Sequence, residues 1–260
     1  MNVLLDISAR PVVAHRGGRA RGPENTLEAM RLGVAAGADA IELDVHSCAS
    51  GEVVVIHDAT VDRTTDGTGA VREKTLADLR SLDAACRFTP SSGDVGAGTA
   101  CIPTLAEVFE EFPRTAIIIE LKTRAASVAT RALIERHAAK NRCIVDSFHA
   151  DALEIFRGSG IPRGPSRNGV ARLIARSWLK TPWPRVELDV ICIPRKYRGL
   201  PLPVARIARL LRNENKPTHI WTVNDAEEAV DLWRVGISGI ITDDVPAIIA
   251  AREAYRRNSL

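Results

Sequence analysis

Short apolar runs alternate with amphipathic segments along the whole chain. VVAHRG (12–17) leads into Leu27, Met30 and Val34 at helical spacing, predicting a helix near 26–36; AIELDV (40–45) follows. TAIIIELK (115–122) precedes a helix near 126–139, and CIVDSF (143–148) one near 150–158. A weak strand near 161–165 comes next. VICIP (190–194), HIWTVN (219–224) and GIIT (239–242) are each followed by a helix, near 203–213, near 225–235 and at the C-terminus. Strand then helix, repeated, predicts parallel sheet. Eight strand candidates in 260 residues fit one (β/α)8 TIM barrel over 1–260.

One segment breaks the rhythm. After AIELDV the chain reads HSCASGEVVVIHDATVDRTTDGTG, too short for a helix before the next apolar run, which predicts a β-hairpin turning near Ser50-Gly51. Pairing 49 with 52 sets Asp44 opposite His57. From about 59 to 104 the chain is rich in Thr, Gly, Ser and Asp, with one short helix signal at KTLADLRSL; it reads as a small inserted subregion after the second strand.

Barrel active sites lie at the C-terminal ends of the strands. The tips carry His15 and Arg16, then Glu42 and Asp44, His57 on the hairpin, Glu120 and Lys122, and Trp221 with Asn224. Glu42 and Asp44 are two apart, as are Glu120 and Lys122, so each pair projects to one face of its strand. Three converging carboxylates repel unless a cation neutralises them, and an all-oxygen set suits Mg²⁺ or Ca²⁺ better than zinc. Arg16 and Lys122 beside that metal fit a phosphate, Arg as a fork and Lys as a point charge. Two histidines on opposite sides of phosphorus can take a proton from the attacking hydroxyl and give one to the leaving oxygen. Singly, each residue has an ordinary structural role: a sheet-bonded carboxylate, a surface histidine, a solvated lysine, and for Trp221 a core aromatic. Their joint placement on one barrel face favours chemistry, with Trp221 joining Arg16 and Lys122 as a substrate contact.

Composition narrows the setting. The first ten residues carry no basic start and no long apolar stretch, which predicts a soluble, cytoplasmic protein. Five cysteines, odd in number and without a CxxC pair, predict free thiols, with a single Cys86–Cys101 bond left open. The net charge of +3 is unevenly spread: residues 157–216 hold 14 basic and 3 acidic side chains, against 17 and 22 in residues 1–156. That surplus reads either as solvated helix faces or as a surface for an anionic ligand or membrane. Aromatics at 4% argue against stacking on nucleic acid.

The residues also carry a resemblance. His15-Arg16-Gly17, Pro23-Glu24-Asn25-Thr26, Glu42-Leu43-Asp44-Val45, His57-Asp58 with Arg63-Thr64-Thr65 and Gly67-Thr68-Gly69, Ile102-Pro103-Thr104-Leu105, Glu120-Leu121-Lys122, Trp221-Thr222-Val223-Asn224 and Gly239-Ile240-Ile241-Thr242-Asp243, in order over about 12–246, resemble the glycerophosphodiester phosphodiesterase family. The resemblance implies hydrolysis of glycerophosphodiesters to sn-glycerol 3-phosphate and an alcohol. It implies His15 and His57 as the acid–base pair, Glu42, Asp44 and Glu120 as metal ligands, and Arg16 and Lys122 as the phosphate clamp, with Asn25 and Thr26 starting the helix that anchors the first loop. Arg195, Lys196 and Arg198 depart from the family pattern, leaving the alcohol half open to a second anionic group or a phospholipid surface. A lysophospholipase D, a phospholipase-C-like enzyme stopping at a cyclic phosphate and a non-catalytic phosphoester-binding barrel remain as alternatives.

Overall fold

The structure, a computed structural model, describes residues 2–90, 98–179 and 186–258. Residues 91–97 of the expected inserted subregion and 180–185 of the basic stretch lie outside the described residues. The elements run β1 (Val12–Ala14), α1 (Leu27–Ala35), β2 (Ala40–Ser47), β3 (Val53–Val55), α2 (Leu76–Arg80), α3 (Leu105–Glu111), β4 (Ala116–Leu121), α4 (Ala125–Arg136), β5 (Cys143–Asp146) and α5 (Ala150–Leu153). They continue as α6 (Arg167–Trp178), β6 (Ile191–Pro194), a two-stranded ribbon of β7 (Lys196–Tyr197) and β8 (Leu200–Pro201), α7 (Val204–Arg212), β9 (Thr218–Trp221), α8 (Ala226–Arg234), β10 (Gly239–Thr242) and α9 (Val245–Arg257).

Seven parallel strands follow the order β5-β4-β2-β1-β10-β9-β6. The expected weak strand near 161–165 closes the circle with only one bridge, Val145 to Arg163. Gly164 N–H donates to Val145 and Val145 N–H to Pro162, while on the other side Asp189 N–H donates to Arg163. Pro162 and Pro165 lack the N–H groups that a longer ladder needs. The result is a (β/α)8 barrel whose narrowest pairing lies between β5 and β6.

The two-residue period sorts side chains between the barrel interior and the helix layer. Ile41, Leu43 and Val45 of β2 and Ile117, Ile119 and Leu121 of β4 face outward into a core shared with Leu105, Phe109 and Ile134. The intervening positions turn inward: Ala40, Ala116, Ile118, Ile144 and Ile241 fill the lower interior with Val13 and Leu4, and Glu42, Asp44 and Glu120 stand above them. Helix starts follow the local sequence. Thr26 accepts a hydrogen bond from Ala29 N–H, and Thr104 with Glu107 forms a reciprocal capping box.

The hairpin corrects one expectation. Val45 pairs with Val55 and Ser47 with Val53, and Ile56 N–H donates to Asp44, so Asp44 faces residue 56 rather than His57. The cause is an odd-length turn over 49–51 closed by Gly51 at φ +95°, a left-handed position that glycine occupies at low cost. His57 consequently lies one residue beyond the pairing, on the segment leaving the sheet.

Candidate active site

The first strand ends in a turn in which Arg16, Gly17 and Gly18 all have positive φ, at 50°, 88° and 95°. A side chain on Gly17 would come within 2.8 Å of the Met30 nitrogen, so this loop is pressed against α1. The turn delivers His15 and Arg16 to the barrel mouth, where Arg16 N–H donates to Glu42 Oε2 at 2.9 Å. Arg16, a non-glycine residue in the left-handed region, is held there by its surroundings.

Glu42, Asp44 and Glu120 present oxygens that all lie within 4.8 Å of one another. Lys122 Nζ reaches Asp44 at 2.8 Å and Glu120 at 2.6 Å, and Arg16 Nε is 3.3 Å from Asp44. Arg16, Lys122, His15, His57 and Trp221 join Glu42 and Glu120 around a cavity of about 70 Å³. The eight residues given a chemical role from the sequence therefore meet at one end of the barrel, and Asn224 joins them through Asp243. Trp221 is half-buried, lining that cavity while packing against the apolar interior cluster beneath it.

Each of the two site histidines has a carboxylate on Nδ1. His15 Nδ1 lies 2.6 Å from Asp243, and Asp243 accepts from Asn224 Nδ2 at 3.0 Å. His57 Nδ1 lies 2.6 Å from Asp58, whose other oxygen accepts from Arg63 Nε. Arg63 also donates to both oxygens of Glu24, which accepts from Arg16 as well. In both rings Nε2 is the nitrogen left to face the cavity.

A model of the glycerophosphoryl diester phosphodiesterase family matches residues 15–247. The chain belongs to this family. It is 30% identical over 246 residues to the glycerophosphodiester phosphodiesterase of Caldanaerobacter subterraneus, covering 92% of this chain and 96% of that protein. Solved structures share the fold. The glycerophosphoryl diester phosphodiesterase domain of a Mycobacterium tuberculosis protein superposes with a TM-score of 0.79 at 22% identity, covering 94% of this chain and 99% of that one. An Oleispira antarctica phosphodiesterase in complex with the product sn-glycerol-3-phosphate has a TM-score of 0.75 at 23% identity, covering 94% and 96%.

The electrostatics of this glycerophosphodiester phosphodiesterase family member fit a bound cation. Burial, with Asp44 and Glu120 adding to it, pushes the Glu42 carboxyl up to about 7: the acidic cluster resists carrying its full charge on its own. Burial works the same way on Asp44, but Lys122 and Arg16 outweigh it and hold that carboxyl below the usual range. A hard divalent ion suits this oxygen-only donor set. Arg16 Nε is buried and makes no hydrogen bond, its nearest acid being Asp44 in the ion pair at 3.3 Å. Burial alone would lower His15, yet the Asp243 hydrogen bond and the Glu42 charge raise its affinity for a proton.

Several supporting residues escaped the sequence reading. Asn25, expected only to start a helix, donates to Asp44 Oδ2 and accepts from Asp44 N–H. Asp243 and Asp58 orient the histidines, Asn224, expected only as a strand-tip residue, holds Asp243, and Asp146 stands beside Glu120 in the register of β4 and β5, its carboxyl pushed well up by burial and by Glu120. Asp243 at the tip of the last strand and Asp58 next to His57 carried a positional signal; Asp146 carried none beyond ending its strand. Of the basic rim residues, Arg195 is paired with Glu228, while Lys196 and Arg198 stand exposed on the ribbon, with Arg198 over the Tyr197 ring. Among the described residues no helix is long and apolar enough to cross a membrane.

Proposed function

We propose that this protein hydrolyses glycerophosphodiesters to sn-glycerol 3-phosphate and an alcohol by two-histidine acid–base catalysis at a divalent-metal site, in one barrel unit over 1–260 with the 59–104 insertion on its rim. The observation that carries the reading is the pair of carboxylate-oriented histidines lining one cavity with Glu42, Glu120, an arginine and a lysine, with Asp44 completing the acidic cluster. Family membership supports the reaction class, and the product-bound Oleispira phosphodiesterase supports the glycerol phosphate half.

Glu42, Asp44 and Glu120 would hold the ion, which when bound offsets their charge and polarises a phosphoryl oxygen. Arg16 and Lys122 draw the phosphate in and fix its orientation. With Nδ1 tied to Asp243 or Asp58, each ring handles its proton at Nε2, one accepting from the attacking hydroxyl and the other donating to the leaving oxygen. The free thiols of all five cysteines fit a reducing, cytoplasmic setting.

The test is product analysis on glycerophosphodiesters with added Mg²⁺ or Ca²⁺. Glycerol 3-phosphate and free alcohol are expected, with activity abolished by EDTA and restored by metal. A cyclic phosphate as the end product would instead establish a lyase, and full activity in exhaustively chelated protein would remove the metal from the reaction.

A further inference from the structure

Beside the catalytic cavity lies a second chamber of about 140 Å³, and the two share a wall that includes Glu120, Phe148 and Trp221. Its remaining surface is mostly aliphatic, with Val170, Ala171 and Ile174 on one face of α6 and Pro194 and Leu202 from the segment around the ribbon, and its polar groups are those of Ser147, Arg167 and Tyr197. Phe148 packs edge-on against Trp221 at 6.4 Å between ring centres, making an aromatic sill between the two spaces. The charge stacked on that sill is positive, the Arg167 guanidinium lying 5.6 Å from the Phe148 ring centre. Two carboxylates belong to the shared wall: Glu120 is engaged by Lys122 at 2.6 Å, and Asp146 accepts from Ser147 N–H at 2.9 Å.

Resting on the reading that the adjoining site cleaves glycerophosphodiesters, we propose that this chamber receives the leaving alcohol and selects a compact, neutral, apolar one. The glycerol half carries hydroxyls that need polar partners, and an aliphatic and aromatic wall leaves such hydroxyls unpaired. The alcohol is therefore the half that enters. An apolar cavity of roughly 150 Å³ is enough to hold benzene, so the chamber accommodates a tert-butyl-sized or phenyl-sized body. Arg167 disfavours a quaternary ammonium of the same shape.

The experiment compares three glycerol phosphate esters with metal-loaded protein: 3,3-dimethylbutyl, choline (the same shape with a positive charge) and methyl. The expected result is a kcat/KM at least roughly tenfold higher for the dimethylbutyl ester than for either other, the discrimination available to an apolar pocket. Ala171→Phe, on the exposed side of α6, should fill the chamber and bring the dimethylbutyl-to-methyl ratio towards one; Val170→Phe replaces it if that variant does not fold. An unchanged ratio in a folded filled variant, equal kcat/KM for the three esters, or a preference for choline overturns the proposal. Calorimetry with 3,3-dimethylbutyl phosphate against methyl phosphate separates it from the catalytic reading. Tenfold tighter binding of the former, lost on filling, upholds the chamber even if no glycerophosphodiester is cleaved, and equal binding defeats the chamber whatever the activity.

Discussion

The two ends of the barrel interior are lined by the same strands at the same inward positions, and they have opposite chemistry. On β2 the inward series runs Ala40, Glu42, Asp44, and on β4 it runs Ala116, Ile118, Glu120. The lower layers are apolar and buried, sealed by Leu4 and by His219, whose Nε2 meets the Leu4 carbonyl at 2.8 Å. Burial pushes that lone ring down to about 4, so it stays neutral. The upper layers gather Glu42, Glu120, Arg16, Lys122 and two histidines around a space of about 70 Å³, with Asp44 against the same cluster. A buried charge is costly unless paired, so the upper end is affordable only because the lower end supplies apolar burial on the same strands. The contrast teaches that stability and chemistry are separated by about two residues along each strand.

The largest effect that would sharpen this contrast is catalytic. His15→Ala and His57→Ala should each lower kcat roughly 10²–10⁴-fold with the melting temperature nearly kept; near-wild-type turnover in either purified variant would exclude that ring from the chemistry. At the lower end the reverse is expected. Ile144→Ala, a truncation of a fully buried side chain two residues below Asp146, should cost about 2–5 kcal/mol in denaturant unfolding while folded protein keeps its kcat. Loss of kcat without loss of stability would break the division between the ends.

A third test uses pH. The unfolded chain protonates His219 near 6.5 and the folded chain only at about 4, so between those values the unfolded state binds more protons. Stability should rise with pH across that window, and be lower by about 3 kcal/mol once the pH is below it. His219→Gln should flatten the slope in pH-dependent melting; an unchanged slope would assign acid sensitivity elsewhere. The smallest effect belongs to the upper end without metal. The Glu42 carboxyl, raised to about 7, opposes folding in its ionised form, a penalty that grows as pH rises from the unfolded value through 7. Glu42→Gln should therefore stabilise metal-free protein at pH 8 by about 1–2 kcal/mol, with the order reversed by saturating Mg²⁺ or Ca²⁺. A destabilised metal-free variant would show that the acidic cluster is not strained.

The sequence by itself determined what local spacing can determine. The residue-two period placed Glu42 with Asp44 on one strand face, the alternation of strand and helix announced the parallel barrel, and Thr26 and Thr104 marked helix starts, because each follows from backbone geometry within a few residues. Trp221 was ambiguous because its inward strand position is shared by core and cavity residues alike. Tertiary structure alone decided the rest. The hairpin register turned on one left-handed glycine, and the pairing at 161–165 shrank to a single bridge where prolines met β5. Asp243 reached His15 across 228 positions of chain, and Asn25 clamped Asp44. The chamber between α6 and the ribbon arose from the way those elements pack. Contacts between residues far apart in the chain depend on how whole elements pack, and no spacing along the sequence encodes those distances.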